Sequence, residues 1–420
     1  MKEISYTLAE GVELTSITEQ KFKTTNISIV MLMPCQPEQF AAWALVPSLL
    51  LNSCEKYPSI AKMTERTQEL YGAYLDSGIS LTANTWEMRL SIASISDAYA
   101  FDGEKVREEI AKLLLECILH PNLEGEKAFS EAAFQTEQRE VLEIIENEVN
   151  NKRSYALRKA KRVIFSGEST AYPLYGTKEE VLALTPEAVY EAYQEILQKA
   201  QILIYYVGAD NAPELPEMFR QAFSARKAPE LCVISDSSCK EEPAVVKEEM
   251  EVSQSQLIMA FKSEEIQSRE AFRMCSLMFG GAPFSLLFKN VREKMSLCYY
   301  CSTGLVFGKN AILVKSGVSQ ENIEKARQAI TEQLEVIQKG EFDDKLLADA
   351  QRYLTNALKL TGDTPTSYIS EALDKFIRPD HADTAELIRL YENLTKEDII
   401  REAKALRLDT VYVLTQKGED

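Results

Sequence analysis

A chain of 420 residues with 45% hydrophobic content is globular and too long for one ordinary core, so two or more domains are expected. It carries 65 acidic against 47 basic residues, a formal net charge of −18, and no run of Lys or Arg stands out against that excess, which argues against nucleic acid or an anionic membrane as partner. No window approaches a transmembrane span, the opening MKEISYTLAEGVEL lacks the apolar core of a signal peptide, and eight scattered cysteines (35, 54, 117, 232, 239, 275, 298, 301) suggest reduced thiols in a cytoplasmic protein.

Residues 4–18 alternate loosely, as a strand or hairpin does, and NISIVMLM at 26–33 reads as a buried strand. A helix is expected over 38–52, kinked or interrupted near Pro47. A second follows over 59–71, with Ser59 as N-cap and Gly72 at its end. Strands follow at 73–82 and 86–95, then a helix at 103–118. A long helix runs from about 126 past Val141, towards Val163. Residues 171–177 form a turn-rich loop, and Thr185-Pro186 opens a helix that feeds a strand at 201–207.

Residues 223–247 lose periodicity and gain Pro, Ser and charge, marking a linker between domains at 1–222 and 248–420. The same programme then restarts. A strand at 255–262 is followed by helices at 268–279 and 284–295, and strands at 297–306 and 310–317. Helices at 320–338 and 343–360 come next, and a final helix feeds a strand at 410–415. Leu184-Thr185-Pro186-Glu187 and Leu394-Thr395-Lys396-Glu397 each open a helix before a closing strand, 210 positions apart. Two homologous halves follow from this order. The consecutive strands have no room for a crossover helix and must be antiparallel. The fold class is therefore α+β, each half a mainly antiparallel sheet with helices packed on one face.

The stretch 280–301, GGAPFSLLFKNVREKMSLCYYC, organises the second half. Phe284, Leu287, Phe288, Val291 and Met295 recur at helical spacing, and Leu297, Tyr299 and Cys301 then alternate as a strand. Arg292 and Tyr299 flank the helix-to-strand corner, where both can donate to peptide carbonyls. The alternative is that Arg292 complements a helix C-terminus and Tyr299 packs. Cys298 and Cys301 make a lone CxxC, and on a regular strand they point to opposite faces, which suits neither a redox pair nor zinc.

This stretch resembles the C-terminal signature of pitrilysin-like peptidases (the insulinase or mitochondrial-processing-peptidase family, M16), GGGxxSRLFxxIREKxGLAYS. Gly280, Gly281, Ser285, Leu287, Phe288, Arg292, Glu293, Lys294, Leu297 and Tyr299 match in order without gaps. TERTQELYGAYL at 64–75 resembles the family's LExLGGxLNA stretch. The segment 173–184 before Thr185-Pro186 resembles its P-x-x-G-T-x-E-x-I-x-x-L-T-P-E-D segment. The resemblance implies a pitrilysin-like, metallohydrolase-like fold over nearly the whole chain, and Arg292 and Tyr299 as substrate-binding residues.

Active members carry HxxEH on the first long helix and a further Glu on a later one, to bind zinc and activate water. Here the corresponding helix reads AAWALVPSLLLN at 41–52, with no ligand pair in any register. The only histidines, His120 and His381, are 261 positions apart: the first ends a helix before Pro121, the second sits in a loop after Pro379-Asp380. Glu143 falls near the third-ligand position and reads as a solvated carboxylate without the pair. The expectation is no metal, no cofactor and no catalytic residue in this chain. The resemblance implies a non-catalytic subunit that pairs with a zinc-bearing homologue, or forms a homodimer, and handles a peptide or protein substrate. It is nearest to the inactive partner linked to aminopentanol modification of elongation factor P. A scaffold protein of the same fold and a peptidase with an unrecognised site are the alternatives.

Overall fold

The computed structural model describes residues 2–231, 238–306, 308–360, 362–378 and 382–417. Cys232, His381 and residues 232–237 of the expected linker lie outside the described residues. In chain order the first half forms β1 (Lys2–Ala9), β2 (Val12–Thr18), β3 (Thr24–Pro34), α1 (Phe40–Asn52), α2 (Ile60–Glu69), β4 (Tyr74–Thr82), β5 (Thr85–Ile95), α3 (Val106–Leu119), α4 (Glu131–Asn150), α5 (Lys152–Ile164), α6 (Lys178–Leu182), α7 (Pro186–Lys199), β6 (Gln201–Gly208) and α8 (Leu215–Ala222). The second half forms β7 (Ala244–Glu249), β8 (Ser255–Lys262), α9 (Arg269–Ser276), two π-helical segments (Leu277–Gly281 and Leu287–Lys294), β9 (Cys298–Leu305), β10 (Ala311–Val318), α10 (Ile323–Lys339), α11 (Asp344–Lys359), α12 (Pro365–Ile377), α13 (Thr384–Asn393), α14 (Lys396–Ala405) and β11 (Arg407–Thr415).

The strand orders are β1-β2-β6-β3-β5-β4 and β7-β11-β8-β10-β9. Without β1 the two sheets correspond place by place, and β3 occupies the position of β8. Each sheet has one parallel pair, β2 with β6 and β7 with β11, and its other pairs are antiparallel. The closing strands β6 and β11 are fed by α7 and α14. Thr185 and Thr395 cap these helices by accepting the Ala188 and Asp398 N–H groups. The α+β fold with two like halves is thus observed, with its main helical layer on one face of each sheet.

The compact units are not contiguous in sequence. One comprises Met1–Glu146, Tyr172–Val233 and Gly362–Pro379, the other Asn147–Ala171, Ile234–Thr361 and Asp380–Asp420. Each sheet therefore receives one helix from the opposite sequence half on its second face. In the first unit Ile369, Ala372, Leu373 and Ile377 of α12 cover Val30, Leu32, Leu203 and Tyr205. In the second, Tyr155, Ala156, Ala160 and Ile164 of α5 cover Ile258, Ala260, Leu313, Tyr412 and Leu414. The end of α5 is fastened by Lys262, whose Nζ donates to the Ile164 carbonyl at 2.7 Å.

Three local expectations change. The long helix beyond 126 is two helices, because the Asn151 side chain accepts the Ser154 N–H and starts α5 afresh. α1 runs through Pro47 without interruption; ten of its other residues are buried, and this packing outweighs one missing backbone bond. Residues 244–247 of the expected linker belong to β7, held in register on β11 from Ala244↔Thr410 to Glu249↔Thr415. Among the described residues no helix is long and apolar enough to cross a membrane.

Candidate functional site

Arg292 and Tyr299 lie in the second unit, on either side of a tight corner. The segment before the corner is π-helical, not α-helical: the Met295 N–H reaches back to the Asn290 carbonyl at 2.9 Å, and the Leu297 N–H to Val291 at 3.1 Å. The wider turn splits the expected apolar stripe. Leu287 and Val291 are fully buried, Phe284 and Phe288 half-buried, and Met295 is turned out to solvent. Gly280 is required by close approach, since a Cβ there would lie 2.7 Å from Thr303 Cγ2 of β9 and 2.8 Å from Leu287 Cδ1. The corner turns at Ser296, which adopts φ +51° where the family signature has glycine.

Tyr299 is the extra residue of a β-bulge. Val318 of β10 pairs with Cys298 and Gly317 with Tyr300, so one step on β10 spans two on β9. Tyr300 turns toward α5, where its ring lies 3.7 Å from the Arg153 guanidinium and its hydroxyl donates to Gln256 Oε1 at 2.5 Å. Cys298 and Cys301 both turn into the opposite core. The expectation that they face opposite sides is overturned, because the inserted residue restores their phase. The shared face of Leu297, Tyr299 and Cys301 is lost for the same reason. Tyr299 itself is 71% exposed, on a strand whose outer edge has no partner among the described residues. The Arg292 guanidinium is exposed and lies 4.5 Å from the Phe288 ring centroid. Among the described residues neither Arg292 nor Tyr299 has a side-chain hydrogen bond or ion pair, so their donors are open to a ligand. Arg292 also stands in the last turn of the helical segment, as the alternative of a charge at a helix C-terminus expects.

The first unit shows what stands in place of a metal site. α1 is apolar almost all round and buried, with Trp43 and Trp86 ring centroids 4.9 Å apart. Its polar side chains at helical spacing are Ser48 and Asn52. Asn52 Nδ2 donates to Glu137 Oε1 of α4 at 2.6 Å, and Ser48 hydrogen-bonds to the same carboxylate. Glu137 is buried; burial pushes its carboxyl above the usual range, against the two hydrogen bonds that favour the anion. Glu143, six residues on, is exposed. The carboxylate facing α1 is therefore Glu137, which the sequence reading missed. The signal was present: Glu137 falls on the same helix face as the buried Phe134 and Val141.

An amide, a hydroxyl and one carboxylate do not make a zinc site, which takes three or four Cys, His or carboxylate ligands. Among the described residues no group of three His, Cys, Asp or Glu gathers where it could hold a metal ion. His120 is the exposed C-cap of α3. A cavity of about 970 Å³ in the first unit, lined in part by Leu197, Lys199, Phe223 and Arg226, contains none of these residues.

Comparison with known proteins agrees with this picture. Residues 183–354 match the family described as the peptidase M16 inactive domain. A relative from Bacillus subtilis (strain 168), named probable inactive metalloprotease YmfF, is 27% identical over 414 residues, 96% of this chain and 96% of its own. A solved structure of a conserved protein from Enterococcus faecalis V583 has TM-score 0.95 at 26% identity, covering 100% of both chains. The peptidase M16 inactive domain from Pseudomonas fluorescens shares the fold, with TM-score 0.81 at 17% identity and 100% of both chains covered. The chain thus resembles inactive members of the peptidase M16 family, by the family model over residues 183–354 and by the Bacillus subtilis relative over nearly its whole length, and its sequence has no HxxEH motif.

Proposed function

We propose that this chain is the non-catalytic subunit of a peptidase pair, and that Arg292 and Tyr299 hold the backbone of a peptide which a zinc-bearing M16 homologue cleaves. The observation that carries the reading is the open Tyr299 on a bulge of the unpaired β9 edge, with Arg292 one turn before the corner. Edge strands accept extended peptides, and an Arg and a Tyr add side-chain donors for peptide carbonyls. A bulge at a sheet edge re-aims one side chain away from the pleat, which suits a contact residue better than a packing residue. The loss of the His pair in the same chain fits a division of labour, in which zinc and water activation belong to the partner. On this reading the protein works in the cytoplasm, with no nucleic acid or membrane partner.

The test is co-purification of the full chain from its native cell. A second M16 chain with intact HxxEH in the complex supports the pair. Elution alone, or only as a homodimer, removes it. The finer link to elongation factor P is tested by the mass of that factor in cells with and without this chain: a lost aminopentanol group supports it, and an unchanged mass excludes it.

A further inference from the structure

The bulge at Tyr299 has a second effect, on the two cysteines that flank it. Three positions apart on a regular strand, Cys298 and Cys301 would diverge. Because Tyr299 is inserted, their partners on β10 are Val318 and Ser316, two positions apart and on one face. Both side chains are buried in the same core, and each thiol shifts the other's acidity. Neither is in a disulfide.

We propose that Cys298 and Cys301 form a reversible dithiol–disulfide pair, whose closure clamps the bulge that presents Tyr299 at the sheet edge. The inference stands on the bulge geometry and does not require that Tyr299 meet a peptide.

The two sulfurs are electrically unequal. The Cys301 thiol, with Ser316 and the positive charge of Arg292, holds the Cys298 thiol below the usual range in spite of burial. Cys301, shifted the other way by Cys298 and more deeply buried, is pushed well above it. Cys298 is therefore the attacking sulfur. It adjoins the exposed Tyr299 on the edge strand, and is itself 8% exposed. With a low-molecular-weight disulfide such as oxidised glutathione, the Cys298 thiolate attacks one sulfur, forms a mixed disulfide and releases one glutathione. The Cys301 thiol then loses its proton to the released thiolate, and its sulfur attacks Cys298 Sγ, expelling the second glutathione. Two protein thiols are oxidised by two electrons, and one small disulfide is reduced to two thiols.

A second pair provides an internal comparison. Cys54 and Cys117 also shift each other's acidity, but both are 0% exposed in the core of the first unit. Access, as well as proximity, should separate the two pairs.

The experiment uses the full-length native protein with oxidised glutathione. It is then denatured in an alkylating agent and digested without reduction. Cys298 and Cys301 should lose both free thiols to one intramolecular disulfide that carries no glutathione, whereas the half-buried Cys35 and Cys239 should gain only glutathione mixed disulfides. The peptide spanning 298–301 should resist alkylation until dithiothreitol is added, while Cys54 and Cys117 alkylate fully. Cys301→Ser should instead leave Cys298 as a glutathione mixed disulfide. Hydrogen exchange of the 297–303 amides should slow on oxidation and recover on reduction. Full alkylation of Cys298 and Cys301 after oxidation, equal oxidation of Cys54–Cys117, or unchanged exchange around Tyr299 would each overturn the proposal.

Discussion

Asn52 and Glu137 are joined by a 2.6 Å hydrogen bond between the last turn of α1 and the buried side of α4. A zinc site of the HxxEH kind needs two imidazoles on the first long helix and a further carboxylate on a later one, all directed at the metal. Here an amide and a hydroxyl meet Glu137, whose carboxyl is raised by burial. A raised acid binds its proton more tightly folded than unfolded, so its burial costs nothing at low pH and destabilises as pH rises through the folded value. Glu137→Gln should therefore raise the melting temperature at pH 7–8, by up to ~1 kcal/mol in stability, and leave it unchanged near pH 4. A loss of stability at neutral pH would mean that the anion's hydrogen bonds outweigh its desolvation.

The same arrangement predicts the metal content. After exhaustive dialysis the isolated chain should hold far less than one zinc. One tightly held zinc per chain, lost in Glu137→Gln, would show a site the donor set does not suggest.

Ser296 turns the corner at φ +51°, in the left-handed region that only glycine enters without penalty. That conformation costs a non-glycine residue ~1–2 kcal/mol, partly offset by the unfolded-state freedom a glycine would gain. Ser296→Gly should stabilise the protein by roughly 0.5–1 kcal/mol in denaturant unfolding. The Ser296 Oγ bond to the Glu293 carbonyl, 3.3 Å and exposed, is too weak to reverse the sign. A lower unfolding midpoint would place the strain elsewhere.

Asp409 anchors the second sheet. It is 1% exposed, and accepts Lys240 Nζ at 2.8 Å, with Lys262 Nζ at 3.4 Å. Burial pushes its carboxyl up, but the hydrogen bonds from Lys240 and Thr410 and the charge of Lys262 hold it below the usual range on balance. A depressed acid contributes stability above its unfolded pKa and loses it as pH falls through the folded value. Asp409→Asn leaves the buried Lys262 poorly compensated and should cost about 3–5 kcal/mol at pH 7. The gap from wild type should narrow in acid melts; an equal gap at pH 3 and pH 7 would exclude an electrostatic origin.

Much of the fold was legible because periodicity and short gaps carry it. NISIVMLM reads as a central strand, and the brief turns after 82 and 306 leave only antiparallel pairing. The exchange of α5 and α12 was not legible, since an amphipathic stripe such as Ile369, Ala372, Leu373 and Ile377 does not name the sheet it covers. At the corner, apolar spacing at 284, 287, 288 and 291 fits α and π geometry alike, so the placing of Met295 was missed. An inserted strand residue leaves no mark in the alternation, and this hid the phase of Cys298 and Cys301. Arg292 and Tyr299 were singled out through a motif, while Glu137, outside any motif, was marked only by its spacing with Phe134 and Val141.

The most direct measurement is peptide cleavage by the reconstituted pair, this chain mixed with its zinc-bearing homologue. Arg292→Ala and Tyr299→Phe should each lower kcat/KM roughly ten- to a hundredfold, the effect of losing ~1.5–3 kcal/mol of donor contact to the bound peptide. Melting and co-elution with the homologue should be unchanged, because both side chains are exposed and outside the core of the second unit. Cleavage at the wild-type rate by both variants, with folding and pairing intact, would contradict the assignment of Arg292 and Tyr299 to the substrate.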